Sequence, residues 1–472
     1  MNLGSNQSIE TYEVIVVGAG PVGLWTAAEL ALAGVSTLVV ERAVERSPHS
    51  KAMGMHPRTI EVLALRGVEE EFLADGVPRP NWHFGMLENR LDFSGLDTPY
   101  PYMLAFPQVR TEEVFERRAL DLGVRVLRGH AVTGLAQDSS SVTLTLDDGR
   151  TLTAAHVVGA DGAGSTVRKA AGIEFPGSDA TTFGYVGEVA LTEPPVVSAQ
   201  TDDGALISVP LGGGRYRIAG MDAHRQHRDD PFTLDDLRAT TRRVAGDDFG
   251  MHDPSWLSRF GNATRIAAAY RKGRVLLAGD AAHMHFPAGG VGLNVGVQDA
   301  TNLGWKLAAE VRGRAAPGLL DSYHAERHPV GLALAEHTLA QTALISATTP
   351  EQRALRTLVN DLVGTVPAFA AALAEKLAAL DVAYPVAGAH PLTGTRVPSV
   401  ALPEGRPLLL TRTALPEASA VAAGLGFETA VRPDLPDARA VVVRPDGHVW
   451  WATDDDTEVA AGLTGLGTTF AD

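Results

Sequence analysis

The chain has 472 residues, 45% of them hydrophobic and 20% charged, an ordinary globular composition with length for more than one domain. Its 40 Lys and Arg stand against 56 Asp and Glu, and the formal charge of −16 argues against nucleic acid and anionic membrane surfaces as partners. Cysteine is absent, which removes disulfides, thiolate metal sites and Cys nucleophiles, and is consistent with a reducing compartment.

The opening residues MNLGSNQSIET carry neither a basic region nor an apolar run, so no signal peptide is expected. No apolar stretch reaches the roughly 18 residues of a spanning helix, and a cytoplasmic protein is expected. The segment YEVIVVGAGPVGLWTAAELALAGVSTLVVER then passes from a valine-rich run through glycines to helical spacing and a second β-branched run, the pattern of a βαβ unit on a buried parallel sheet.

Within that unit Gly18, Gly20 and Gly23 form G-x-G-x-x-G between strand and helix, with Glu41 about 20 residues on. Gly18 permits the tight turn, Gly20 admits a pyrophosphate close to backbone N–H groups, and Gly23 lets the helix lie against the strand. The helix N-terminus supplies positive charge and Glu41 can accept from ribose hydroxyls. This motif alone leaves NAD(P) and FAD both open; Arg42 suits either a 2′-phosphate or an adenine resting on a guanidinium.

Residues from Lys51 to about Gly76 read as helical, and those from Val124 to Val158 as short alternating strands with an Asp-Asp-Gly hairpin turn. In VVGADGAGSTVRKAAG a strand ends at Val158, Asp161-Gly162 makes a turn, and Ser165 is a predicted N-cap for the helix carrying Arg168. From about Phe175 to Phe260 the chain is more strand-like, with a hairpin in PLGGGRYRIAGM and one helix in FTLDDLRATTRRVAG, which suggests an inserted β-rich layer.

The stretch RVLLAGDAAHMHFPAGGVGLNVGVQDATNLGWKL is a third strand, turn and helix. Asp280 closes the strand, where a carboxylate can accept from polyol or ribose hydroxyls, and Gly289, Gly290 and Gly292 bring backbone close to something flat or phosphorylated. Two long helical segments follow, and from about His390 short strands punctuated by proline, with a hairpin at Pro445-Asp446-Gly447, suggest a separate C-terminal domain.

Taken together the three turns resemble the FAD-dependent aromatic hydroxylases, the single-component flavoprotein monooxygenases of the p-hydroxybenzoate hydroxylase type. The likeness rests on Gly18-Ala19-Gly20, Asp161-Gly162 and Gly279-Asp280-Ala281-Ala282-His283, extends to NLGWKLAAEVRG and LLDSYHAERHPVG, and covers essentially the whole chain. It is nearest the branch acting on aromatic polyketides and related polycyclic products, which also includes rifampicin monooxygenases.

The resemblance implies an α/β fold with an α+β substrate layer. It places a Rossmann-like FAD-binding domain at 1–175 and 261–350, a β-rich substrate domain at 176–260, a helical connection at 351–389 and a Cys-free thioredoxin-like domain at 390–472. It also implies FAD as cofactor and NADPH or NADH as transient reductant. A flavin C4a-hydroperoxide would pass oxygen to an electron-rich aromatic carbon inside apolar walls that exclude water.

The implied FAD-binding set is Gly18, Gly20, Pro21, Val22, Gly23, Glu41, Arg42, Lys51, Gln108, Asp161, Gly279, Asp280, Pro287, Gly290, Gly292, Leu293 and Asn294. Glu41 and Arg42 fall at the adenosine end, Gln108 and Asp280 near the ribityl chain or pyrophosphate, and Gly292, Leu293 and Asn294 at the pyrimidine edge. Two departures stand out: Lys51 replaces a common arginine, and GGVGLNV puts Val291 and Val295 where relatives carry polar residues near the flavin edge.

No side chain is assigned as catalytic, the flavin performing the chemistry; His224 and His83, with His56, are the candidates for helping a phenol ionise, and His283 reads as structural. Trp82, Phe84, Tyr185, Tyr216 and Met221 are the candidate pocket walls. The expected partners are an aromatic small molecule and O2, with a homodimer allowed for and no metal, nucleic acid or membrane. The alternatives are Baeyer–Villiger-type or antibiotic-inactivating oxygenation on the same scaffold, a flavin-free NAD-dependent dehydrogenase, and a non-catalytic flavin-binding protein.

Overall fold

The computed structural model describes residues 10–224, 231–435 and 437–466. Its main sheet has five parallel strands in the order Val275–Leu277, Thr151–Gly159, Glu10–Val17, Thr37–Glu41 and Arg125–Arg128. Val14, Ile15 and Val16 are fully buried, because helices cover both faces and a strand so enclosed needs a continuous apolar run. The α/β architecture expected from the βαβ pattern is present.

The order of the strands positions the site. Val17 pairs with Gly159 and Gly159 with Leu277, so the three strands that carry the glycine-rich turns are adjacent and end at the same level. Open α/β sheets bind ligands outside the carboxyl ends of their strands, and here three such ends lie side by side.

Two helices leave that edge together. Pro21–Leu32, with Pro21 in its first turn, packs along Gly292–Val311, and Trp25 Nε1 donates to Thr301 Oγ1 at 2.8 Å. A Cβ on Gly296 would lie 2.4 Å from Val22 Cγ2, and one on Gly304 2.6 Å from Glu29 Cβ, so these glycines set the approach of the helices. Gly296→Ala is expected to lower Tm by several degrees, since the added Cβ meets both Val22 and Gly279 Cα; thermal unfolding checks it.

The inserted sheet runs in the order Ser198–Thr201, Gly204–Gly212, Arg215–Asp222, Phe183–Ala190 and His252–Gly261, all antiparallel. The helix Leu234–Ala245 covers one face, starting at a capping box in which Thr233 and Asp236 satisfy each other's backbone N–H. Alternation puts Ala205, Ala219, Met221, Val186 and Arg217 on the opposite face. Arg217 there donates to Ser50 O and pairs with Glu188, and Met221 packs with Phe286 and Ala288, which fixes that face against the main domain.

Helices Pro350–Thr365 and Pro367–Ala378 lead to the C-terminal unit, a sheet in the order Glu428–Val431, Leu408–Thr411, Ala440–Val443 and Val449–Thr453. The hairpin expected around Pro445-Asp446-Gly447 joins its last two strands. Among the described residues no single helix is long and apolar enough to cross a membrane.

Candidate functional site

The first turn is built by exclusion of side chains. Gly18 has φ +107°, and a Cβ there would lie 2.4 Å from Ala160 O; a Cβ on Gly23 would lie 1.9 Å from Gly18 O. Gly20, at the helix N-terminus, has open space where a Cβ would go. Glu41 closes the turn, its Oε2 accepting from Ala19 N at 2.7 Å and its Oε1 from Ala43 N at 2.8 Å, while Arg42 beside it is exposed.

The second turn differs from expectation. Asp161 Oδ2 accepts from Thr166 N at 2.7 Å and Oδ1 from Ser165 Oγ at 2.5 Å, so the carboxylate caps the helix Thr166–Ala170 rather than standing free for a ligand. Ser165 is the N-cap, accepting from Arg168 N. Arg168, carried by that helix, donates to Ala281 O at 2.8 Å and so ties the second turn to the third.

In the third turn Gly279 adopts φ +60° with Val22 against its Cα, and Asp280 is exposed with no hydrogen bond among the described residues. Beneath it Asp299, fully buried, accepts from Gly279 N at 3.2 Å and from His283 Nε2 at 2.6 Å. His283 therefore is structural, and Asp299 is a residue the sequence reading passed over. Burial raises the Asp299 pKa, but Arg327 and His283 beside it pull the carboxyl below its usual value.

The loop between turn and helix is pinned from the Gly54–Met55 side. His56 N donates to Asn294 Oδ1 at 2.8 Å, Asn294 Nδ2 donates to Gly290 O at 2.9 Å, and His56 Nε2 and Trp82 Nε1 both donate to Gly289 O. The Asn294 side chain thus braces the loop, leaving the half-exposed backbone of Gly292 and Leu293 facing the groove beside exposed Pro287 and Gly290. Val291 and Val295 are buried, at 4% and 6% exposure. They lie in a buried cluster with Phe84, Phe93, Leu334 and Leu377, where a polar side chain would need a partner.

Burial pushes the His56 imidazole down to about 4, and that of His448 likewise to about 4. An unfolded histidine takes up protons near pH 6.5, so the stability these residues contribute is present above that value and lost as the pH falls toward 4. Tm is expected to drop by a few degrees between pH 7 and pH 5, with a shallower slope in His56→Gln; a flat profile would contradict this.

Other predicted residues are dispersed. Tyr185 and Tyr216 pack with Val189, Ile218 and Leu237 under the helix Leu234–Ala245, on the face of the inserted sheet away from the cofactor turns, so they are core residues and not pocket walls. Phe84 is likewise buried behind the loop, whereas Trp82 and Met221 border it. His224 is an exposed partner of Asp203, with Nε2 2.6 Å from its carboxylate, which removes the reason to expect it at the chemistry. His83 stacks on Trp82 at 5.1 Å, and desolvation followed by the Arg90 charge pushes its pKa down to about 4. Gln108 spends both ends of its amide on the protein, accepting from Ala52 N and donating to Glu112, and exposed Lys51 is the residue before Ala52.

What remains along the shared strand ends is a helix N-terminus, an open Gly20, the Glu41 carboxylate and the exposed Asp280 carboxylate, which accepts no hydrogen bond among the described residues. That donor and acceptor set fits a long dinucleotide with a pyrophosphate and a polyol, and so fits FAD. The comparisons agree. Residues 11–338 match the family described as FAD binding domain. The chain is 45% identical to an uncharacterized aromatic compound monooxygenase of Bacillus subtilis (strain 168), covering 94% of both chains. It is 44% identical to a rifampicin monooxygenase of Streptomyces venezuelae, over 95% of this chain and 97% of the other. A solved structure of the anhydrotetracycline hydroxylase of Streptomyces rimosus matches with a TM-score of 0.87 at 42% identity, over 94% of this chain and 96% of that one.

Proposed function

The chain belongs to the FAD-binding family of flavoprotein monooxygenases, and on that premise we propose that it hydroxylates a polycyclic aromatic small molecule with O2 and NADPH or NADH as co-substrates. The observation that carries the reading is the alignment of three turn-bearing strand ends at one edge of the main sheet.

Gly20 and the N-terminus of Pro21–Leu32, set in place by the Gly18 turn, would take the pyrophosphate, with Glu41 at the adenosine ribose. Asp280 would accept from ribityl hydroxyls, and the backbone N–H groups of Gly292 and Leu293 would offset the negative charge that reduction leaves on the pyrimidine edge. Bound there, FAD supplies hydride acceptance from a nicotinamide and activation of O2.

Val186, Ile207 and Ala219 share the sheet face fixed against the main domain, and Ile207 and Ala219 remain half-buried. A flat ring system laid on that face would displace water from the reacting carbon. The relatives named for anhydrotetracycline and rifampicin support a large substrate over a single-ring phenol. With one G-x-G-x-x-G in the chain, the nicotinamide docks transiently.

Purified protein is expected to be yellow, and a panel of polycyclic phenols to include one that stimulates NAD(P)H oxidation severalfold and gains one oxygen. Flavin-containing protein whose NAD(P)H oxidation no aromatic compound stimulates would overturn the reading. The product's carbon skeleton separates hydroxylation from insertion beside a carbonyl.

A further inference from the structure

The C-terminal domain has no cysteine and so no thiol chemistry, yet it is joined to the cofactor turn by a continuous row of buried polar groups. Gly279 N donates to Asp299 Oδ2 at 3.2 Å, and Asp299 Oδ1 accepts from Arg327 Nε at 2.7 Å. Arg327 Nη1 donates to Tyr384 Oη at 2.9 Å, and its Nη2 donates to Val295 O at 3.3 Å in the cofactor helix.

Tyr384 is in turn held by the C-terminal domain. Its ring lies 4.5 Å from the His448 ring with the Arg444 guanidinium 5.2 Å from its centroid, and Gly394, which accepts from Tyr384 N, donates to Val449 O. Arg444 also pairs with Glu326, to which Lys306 of the cofactor helix donates at 2.7 Å. Asp299 and Arg327 are at most 1% exposed, so each has lost water and depends on its neighbour for position.

We infer that the C-terminal domain positions the Gly279-Asp280 turn through the row Tyr384, Arg327 and Asp299, which makes Tyr384 a positioning residue for FAD binding. The turn is sensitive to such support because Gly279 sits at φ +60° with Val22 against it, so that a shift of Asp299 carries the Asp280 carboxylate with it. The inference rests on the proposed contact between that turn and FAD.

The test is equilibrium titration of the full-length apoprotein with FAD, followed by flavin fluorescence, with Tm measured in parallel. Tyr384→Phe removes only the hydroxyl and is expected to raise the Kd about tenfold. Leu463→Ala, a change in the other C-terminal core cluster, which contains none of the residues that hold Tyr384, is expected to lower Tm and leave the Kd unchanged. In the double variant Tyr384→Phe with Asp299→Asn the effects on Kd should be less than multiplicative. A wild-type Kd in Tyr384→Phe, or equal weakening by Leu463→Ala, would overturn the inference while leaving the cofactor reading intact. A wild-type chain that takes up no FAD would overturn both.

Discussion

Gly23→Ala is expected to purify without flavin. The added Cβ would lie 1.9 Å from Gly18 O and 3.0 Å from Gly18 C, inside the contact distance of any real pair, and Ala160 Cβ closes the third side at 3.4 Å. The neighbours are backbone and cannot rotate away, so the helix Pro21–Leu32 must lift from its strand. That displacement moves the N–H groups meant for the pyrophosphate. Overpacking of this kind costs about 1–3 kcal/mol or more, and most of it falls on the cofactor groove. FAD affinity should fall by roughly a hundredfold, since about 1.4 kcal/mol is a factor of ten. A Gly23→Ala protein holding one FAD per chain at wild-type affinity would contradict the geometry.

Arg327→Met should have the second large effect. Arg327 is the charge partner of Asp299 Oδ1 in a region from which water is excluded, and removing one member of a buried ion pair costs about 3–5 kcal/mol because the other is left uncompensated. Asp299 would then be drawn toward its protonated form, weakening its hold on Gly279 N and His283 together. Thermal unfolding should show a fall of several degrees, accompanied by weaker FAD retention. Adding Asp299→Leu should recover part of the stability, since no lone charge remains, but not the FAD affinity, since the turn still lacks its acceptor. Recovery of both would mean that Asp299 acts only through packing.

Much of this site was legible because it is written in local backbone chemistry. A tight turn and a close helix approach each demand glycine, and Gly18 and Gly23 meet those demands as their spacing implied. The Ser165 cap, the hairpin at Gly204–Asp222 and the C-terminal hairpin are local in the same sense.

What was not legible depends on pairings distant in sequence. The side of the inserted sheet that meets the main domain is set by the helix Leu234–Ala245 occupying the other side, and for that reason Tyr185 and Tyr216 became core residues. Val291 and Val295 stand where the resemblance implies polar residues, and their apolar character answers to packing with Leu334 and Leu377, partners distant in sequence. Asp161, in the set the resemblance implies for FAD, has as its donors Ser165 Oγ, Thr166 N and Val167 N, at the start of the helix that follows it.

Asp299 and Arg327 were missed because charged residues are ordinarily exposed. A signal existed: Asp299 lies between Val297 and Ala300 in a helix whose residues from Asn294 to Ala309 are all buried, a setting where a carboxylate requires a cation. The helix Gln108–Asp121 was also passed over, although Val114, Phe115 and Ala119 give it a buried stripe.

Equilibrium FAD titration of the wild-type apoprotein and of Asp280→Ala decides whether the distant turns form one cofactor site. Wild type should bind one FAD per chain, and the variant should bind roughly ten- to a hundredfold more weakly, the loss of a hydrogen bond to a charged group at about 1.5–3 kcal/mol. Equal affinities would show that the Asp280 carboxylate is not a cofactor contact and that the third turn serves another purpose.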